Sequence, residues 1–246
     1  MEFEKNKYYN IDCMKAFKDI EDDSVDLLLT DIPYNFINNS VKYEGGLRKF
    51  NKGKADELNM DLMELLKELD RITKGTVIIF CGLEQVSDIF GFFKHQCKGT
   101  TRVLVWEKTN PSPVNGQYVY LSGIELAVWH KNPGATFNAF CKNTVFRHSS
   151  GTRKIHATQK NVELFEELVL DNSAEGDLVL DAFMGSGTTA IACIRHNRDW
   201  IGFEIDEGFY KSGYERIKVE EEKQKQRDKQ LTFESYKKGL QNGEDK

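Results

Sequence analysis

At 246 residues, with 39% hydrophobic and 30% charged side chains, the chain is long enough for a substantial core and reads as one large domain, or a domain with an appendage. No apolar stretch approaches the roughly 18–20 residues that span a bilayer, and the acidic start Met1–Lys5 has no signal-peptide core. Five scattered cysteines without a CxxC pair, and histidines that do not cluster, argue for reduced thiols in a cytoplasmic protein and against a disulfide framework or a zinc site.

In chain order, the first apolar run is Val25–Thr30, which predicts a buried strand and leads directly into Asp31-Ile32-Pro33-Tyr34. Asn35–Lys54 follows, a long loop rich in Gly, Ser and Asn that carries Lys42, Arg48, Lys49, Lys52 and Lys54. Long loops in compact domains are usually functional or disordered. A helix is predicted over Ala55–Ile72, where leucines recur at helical spacing, and then a strand over Thr76–Cys81 and a helix over Glu84–His95. Strands Arg102–Trp106 and Ile124–His130 precede the stretch Lys131–Lys160. That stretch holds Lys131, Lys142, Arg147, Arg153, Lys154 and Lys160 and contains no Asp or Glu. A helix Asn161–Leu170, a strand Leu178–Phe183, a helix Thr188–Arg195, a strand Trp200–Ile205 and a long helix from Glu207 complete the chain. The tail 218–246 is polar with interleaved charges and reads as a helical or disordered extension. Continuously apolar strands alternating with amphipathic helices predict an α/β fold, a mostly parallel sheet covered by helices on both faces.

The net charge of −5 would disfavour nucleic acid if it were evenly spread. Local charge sets attraction to phosphate, and two basic clusters follow the Asp31 segment along the chain, Lys42–Lys54 and Lys131–Lys160. Either cluster alone would read as a solvated loop.

Asp31–Tyr34 stands where α/β sheets bind ligands, beyond the carboxyl end of a strand. The Asp31 carboxylate and the Ile32 carbonyl are pure acceptors and can take both hydrogens of one amino group, while Pro33 keeps Ile32 extended and Tyr34 offers a stacking face. An aromatic exocyclic amine is a poor nucleophile, because its lone pair is delocalised into the ring. Acceptors on its hydrogens return density to nitrogen and stabilise the positive charge that develops there. Alone, the tetrapeptide is also an ordinary turn. Phe183-Met184-Gly185-Ser186-Gly187-Thr188 joins a predicted strand to a predicted helix. Its glycines permit close approach and unusual φ, the helix start suits a carboxylate, and Glu204 ends the next strand, where an acid partners ribose hydroxyls. The loop lacks both the full GxGxxG and the Gly-Lys-Ser/Thr of a phosphate loop, which favours an adenosine-bearing zwitterion over a pyrophosphate.

With these residues in hand, the chain resembles, from about Tyr9 to Ile217, the β-class S-adenosylmethionine-dependent DNA amino-methyltransferases that modify adenine N6 or cytosine N4. Val25–Tyr34 is similar to that family's (D/N/S)PPY strand end, with Ile32 in place of the first proline. Asn10–Cys13 is similar to its opening segment, His156–Lys160 to H-P-T-x-K-P with both prolines replaced, Asp181–Thr189 to the FxGxG loop, and Ile201–Glu204 to the ribose-binding strand end. The catalytic corner precedes the cofactor loop, which is the β-class order. The resemblance implies a Rossmann-like seven-stranded methyltransferase sheet over residues 1–217, with 35–54 as an active-site loop and about 117–153 as a short target-recognition region. It implies catalysis at Asp31, Ile32, Pro33 and Tyr34. It also implies S-adenosylmethionine binding by Asp12, Cys13, His156, Thr158, Lys160, Asp181, Phe183, Gly185, Gly187, Thr188 and Glu204, with no metal. DNA, double-stranded or single-stranded, is the implied partner, contacted by Lys42, Arg48, Lys49, Lys52, Arg147, Arg153 and Lys154. Two copies pairing, and a restriction–modification setting, are further implications. Asp31 tilts the target toward adenine, since Ser is more typical there for cytosine. N4-cytosine and RNA-adenine methylation, and a non-catalytic nucleic-acid-binding subunit, are the competing readings.

Overall fold

The alternation of apolar runs and amphipathic stretches folds as a three-layer α/β structure. The computed structural model describes residues 3–34, 60–113, 116–151 and 160–241. The strands are β1 Lys7–Asn10, β2 Val25–Asp31, β3 Thr73–Cys81, β4 Thr100–Lys108, β5 Ile124–Lys131, β6 Val145–His148, β7 Leu178–Asp181 and β8 Asp199–Glu204. The helices are α1 Cys13–Ala16, followed by a 3-10 turn Phe17–Asp19, then α2 Leu62–Ile72, α3 Val86–Gln96, α4 Val162–Asn172, α5 Thr188–Arg195 and α6 Glu207–Gln241.

The strand order is β1-β8-β7-β2-β3-β5-β4-β6. Every pairing is parallel except those that β5 makes with β3 and β4. Side chains alternate across the sheet as the pleat requires. Leu27 and Leu29 enter the core shared with Leu164, Leu168 and Ala190 of α4 and α5. Leu28 enters the opposite core with Leu65 and Leu69 of α2 and Phe93 of α3. Each such leucine, fully buried, contributes about 1.5–3 kcal/mol. Burial on both faces is why β2 reads as an unbroken apolar run.

The order reverses between β2 and β7. The chain runs from β2 outward to β6, crosses back to β7 beside β2, and continues away to β8. Leu27 and Leu28 pair with Val179 and Leu180. The crevice beyond the carboxyl ends at such a switch point is where open α/β sheets bind ligands. This topology brings two segments far apart in sequence to neighbouring strand tips.

The structure corrects several expectations. The sheet has eight strands rather than seven: the six apolar runs read from the sequence and two short edge strands, β1 and β6. Helix α2 begins at Leu62, where the Asp61 side chain accepts from the Glu64 amide at 3.0 Å and fixes the start; residues 55–59 of the expected helix lie outside the described residues. The boundary expected at 217 falls within α6. Glu220 there is 3% exposed and accepts from Arg195 Nε at 2.7 Å, so α6 is packed onto α5 beyond that point. The 35–54 loop lies outside the described residues. Among the described residues, no helix is long and apolar enough to cross a membrane.

Candidate active site

Strand β2 stops where its ladder must stop. The Ile32 amide donates to Phe80 O at 3.1 Å, and Pro33 has no amide hydrogen to continue. The Gln85 side chain, buried before α3, donates to Pro33 O at 2.9 Å and accepts from the Gly82 amide at 2.8 Å. The Asp31–Tyr34 corner is thereby held to the tip of β3 rather than left as a free turn.

Around Asp31 stands a chain of alternating charges that the sequence reading missed. Lys160 Nζ lies 3.0 Å from Asp31 Oδ1 and is also ion-paired with Glu125 Oε2. Glu125 Oε1 in turn pairs with Lys108 Nζ at 2.7 Å. The Lys160 ammonium donates to the Tyr34 hydroxyl at 2.7 Å and sits 5.0 Å from the centre of its ring, a cation–π contact. Tyr34 in turn donates to Glu125 at 3.3 Å, so its ring orientation is set by this network.

The electrostatics follow. Burial pushes the Asp31 carboxyl up and the neighbouring Lys160 ammonium pulls it back, with the result above the usual carboxylate range. About 25% of its side chain remains open, which makes the push smaller than for a sealed acid. Burial opposes ionisation of Glu125 too, but Lys160 and Lys108 outweigh it and hold Glu125 below its ordinary value. Lys160 is 8% exposed, and its two carboxylates overcome the cost of burial and keep it charged. The Tyr34 hydroxyl is pushed up by burial and by Asp31.

At the adjacent tip of β7, Gly185 and Gly187 have φ of +49° and +75°, the left-handed conformation in which glycine is not strained. Glu204, at the tip of β8, accepts from the Gly185 amide at 3.0 Å and from the Asp206 amide at 2.8 Å. Asn10 of β1 donates to Glu204 O at 2.8 Å, and the Tyr8 hydroxyl donates to Gly185 O at 2.7 Å. Thr30 donates to Asp181 at 2.8 Å, a bond from β2 to β7 that ties the two corners together.

The residues expected to hold the cofactor divide into two groups. Gly185 and Glu204 meet at the strand tips, Phe183 packs partly buried against the core, and Gly187 is buried against Ile217 of α6. Asp181 and Thr188 are turned inward. Asp181 spends its carboxylate on Thr30, Thr189 and the Phe183 amide, and the Thr188 hydroxyl meets Arg216 of α6 at 3.1 Å. They shape the loop, because buried polar groups must be paired. Cys13 is likewise buried in the core, its thiol pushed up to about 12 by that burial. Asp12 caps α1 through the Met14 amide at 2.9 Å. Lys160 stands with Asp31 rather than apart at a cofactor end. His156 and Thr158 lie outside the described residues. Of the expected DNA contacts, Arg147 is exposed and paired with Glu107 at 2.9 Å. Such a surface pair is worth little and is readily exchanged for phosphate. Lys42, Arg48, Lys49, Lys52, Lys54, Arg153 and Lys154 lie outside the described residues. No group of three or more potential metal ligands occurs among the described residues.

A glycine loop and an acid at adjacent strand tips, on a sheet of this order, match the fold of the class I methyltransferases. The DNA methylase family model matches residues 126–216. A type II methyltransferase of Streptococcus pneumoniae, M2.DpnII, is 26% identical over 89% of this chain and 93% of its own length. M.HpaI of Haemophilus parainfluenzae is 29% identical over 84% of this chain and 72% of its own. The crystal structure of the M1.HpyAVI–SAM complex superposes with a TM-score of 0.65 at 25% identity, covering 86% of this chain and 98% of that one. The cytosine-N4-specific PvuII methyltransferase shares the fold, with a TM-score of 0.65 at 14% identity over 91% of this chain and 93% of its own. The chain is thus similar, over residues 126–216, to the DNA methylases of the N6/N4 type, and over most of its length to type II methyltransferases.

Proposed function

We propose that the chain transfers a methyl group from S-adenosylmethionine to N6 of adenine in DNA, at a specific sequence. The observation that carries the reading is Asp31 Oδ1. It is a buried acceptor at the topological switch point, beside the glycine loop, ion-paired with Lys160 at 3.0 Å but without an aligned hydrogen bond of its own.

The crevice fits the cofactor. Glu204 uses one bond per oxygen on backbone amides and retains lone pairs for ribose hydroxyls. Gly185, left-handed and with nothing closer than 3.9 Å to an added β-carbon, leaves room for close approach beside Glu204. Bound S-adenosylmethionine supplies an electrophilic methyl on a sulfonium and is released as S-adenosylhomocysteine; no metal is called for. The protein's part is to hold the nucleophile. The adenine is flipped from the duplex and stacks on Tyr34, whose hydroxyl is already anchored. Asp31 and the Ile32 carbonyl take the two amine hydrogens. As the N–C bond forms, positive charge grows on nitrogen beside the Asp31 carboxylate, which then accepts the surplus proton on its way to water. Asp rather than Ser at this position favours adenine over cytosine.

DNA would lie across the strand-tip edge. The segment before β5 presents Tyr118, Val119, Tyr120 and Leu121 exposed, within the region 117–153 assigned to target recognition, with Arg147 on β6 beyond it.

Nucleoside mass spectrometry of DNA incubated with the protein and methyl-labelled S-adenosylmethionine tests the assignment. Label is expected in N6-methyladenine; label in N4-methylcytosine, or none in DNA, would refute it. A pH profile follows from the same site. The competent form is ionised Asp31, so kcat/KM should fall as pH drops through a midpoint above the ordinary carboxylate value of 3.8. In Lys160→Met the cation that lowers Asp31 is gone, and the acid limb should move to higher pH. An unmoved limb would separate Asp31 from the rate.

A further inference from the structure

We propose that Glu125 is a positioning residue for methyl transfer. It takes the directional hydrogen bond of Lys160, so that Lys160 neutralises Asp31 without filling the lone pair the target amine must use. The proposal rests on the reading of Asp31 given above.

An ammonium has three donors. Lys160 aims one at Glu125 Oε2 and one at the Tyr34 hydroxyl. Its contact with Asp31 Oδ1 is close, at 3.0 Å, yet misaligned for a hydrogen bond, and Oδ1 is one of three buried side-chain atoms among the described residues that lack one. Asp31 Oδ1 therefore receives the Lys160 charge without an aligned hydrogen bond. The arrangement draws on four elements: Asp31 from β2, Lys108 from β4, Glu125 from β5, and Lys160 directly before the Asn161 cap of α4. With both acids ionised and both lysines protonated, the set of four is neutral. Cys81 of β3 and Asp181 of β7 also face Asp31.

Without the Glu125 charge, the balance shifts. The nearest anion left to Lys160 is Asp31, and the ammonium would turn onto it. A charge-assisted hydrogen bond is roughly twice as strong as a neutral one, so a neutral aromatic amine could not displace it. Glu125 thus keeps an acceptor vacant beside a cation. A purely structural ion pair would hold the strands together but would have no bearing on which donor Asp31 accepts.

The test is Glu125→Gln, close in shape and uncharged, assayed by single turnover on DNA with saturating S-adenosylmethionine. The rate should fall about 10–100-fold, the size of one hydrogen bond to a charged group, with cofactor affinity by calorimetry nearly unchanged. The acid limb of the profile should move to lower pH, because Glu125 raises Asp31 and its removal leaves Lys160 unopposed. In a Lys160→Met background there is no ammonium to steer, so Glu125→Gln should add no further loss. That comparison also decides the matter if the single variant fails to fold. A normal rate with an unmoved limb, or losses that multiply in the double variant, would overturn the proposal. If Asp31→Asn remains active, the reading of the site fails; if Asp31→Asn is inactive and Glu125→Gln normal, only the role of Glu125 fails.

Discussion

Asp31→Asn is expected to lose methyl transfer by about 10²–10³-fold or more, the scale at which a preorganised group facing developing charge matters, while binding S-adenosylmethionine almost normally. The substitution keeps size and shape but exchanges one acceptor oxygen for an NH₂ donor and removes the charge. The amine then meets a donor where it needs an acceptor, and the positive charge on nitrogen loses its counter-ion. Cofactor binding should survive because the glycine loop is braced by hydrogen bonds of Asp181, Tyr8 and Glu204, none of which is made with Asp31. Single-turnover rates and calorimetry on the same preparation check the two halves. Comparable loss of both would mean that Asp31 is structural.

Gly187→Ala is expected to damage the other half of the site. Gly187 precedes α5 at φ +75°, and a β-carbon there would lie 2.8 Å from two atoms of Ile217. Ile217 is 2% exposed and packed in the core, so it cannot swing aside. Left-handed φ costs a non-glycine residue about 1–2 kcal/mol, and at about 2–4 °C per kcal/mol for a domain of 150–250 residues the clash brings the melting temperature down by several degrees. The loop must shift to relieve it, and affinity for S-adenosylmethionine should fall with it. Gly91→Ala is the control. Gly91 lies within α3, with nothing inside 4 Å of an added β-carbon, and alanine there should raise stability by about 0.5–1 kcal/mol. Equal melting curves for the two variants would contradict the packing argument.

How far the chain could be read in advance depends on where each signal resides. Strands β2, β3, β5, β7 and β8 were legible because burial on both faces leaves unbroken apolar runs. β1, Lys7-Tyr8-Tyr9-Asn10, and β6, Val145-Phe146-Arg147-His148, were not: each is a short edge strand with polar side chains. The start of α2 was readable in principle, since Asp61 followed by Glu64 is a capping pattern, but leucine spacing drew the boundary too early. At the site, Asp31–Tyr34 and Gly185–Gly187 stand out because backbone demands leave marks in local sequence. The Lys108–Glu125–Lys160 chain leaves none. It is made by β4, β5 and the segment before α4 meeting at one sheet edge, and its only local trace is a lone acid at the head of the apolar run Ile124–His130. Asp181 and Thr188 show the converse. They stand in the glycine-loop motif, yet their side chains serve the loop from within.

The most direct measurement is single-molecule sequencing of DNA from cells that express the protein. Modified adenines confined to one short sequence context, and absent from cells expressing Asp31→Asn, are the predicted result. Modified cytosines, or no modification above that of the Asp31→Asn control, would contradict the account.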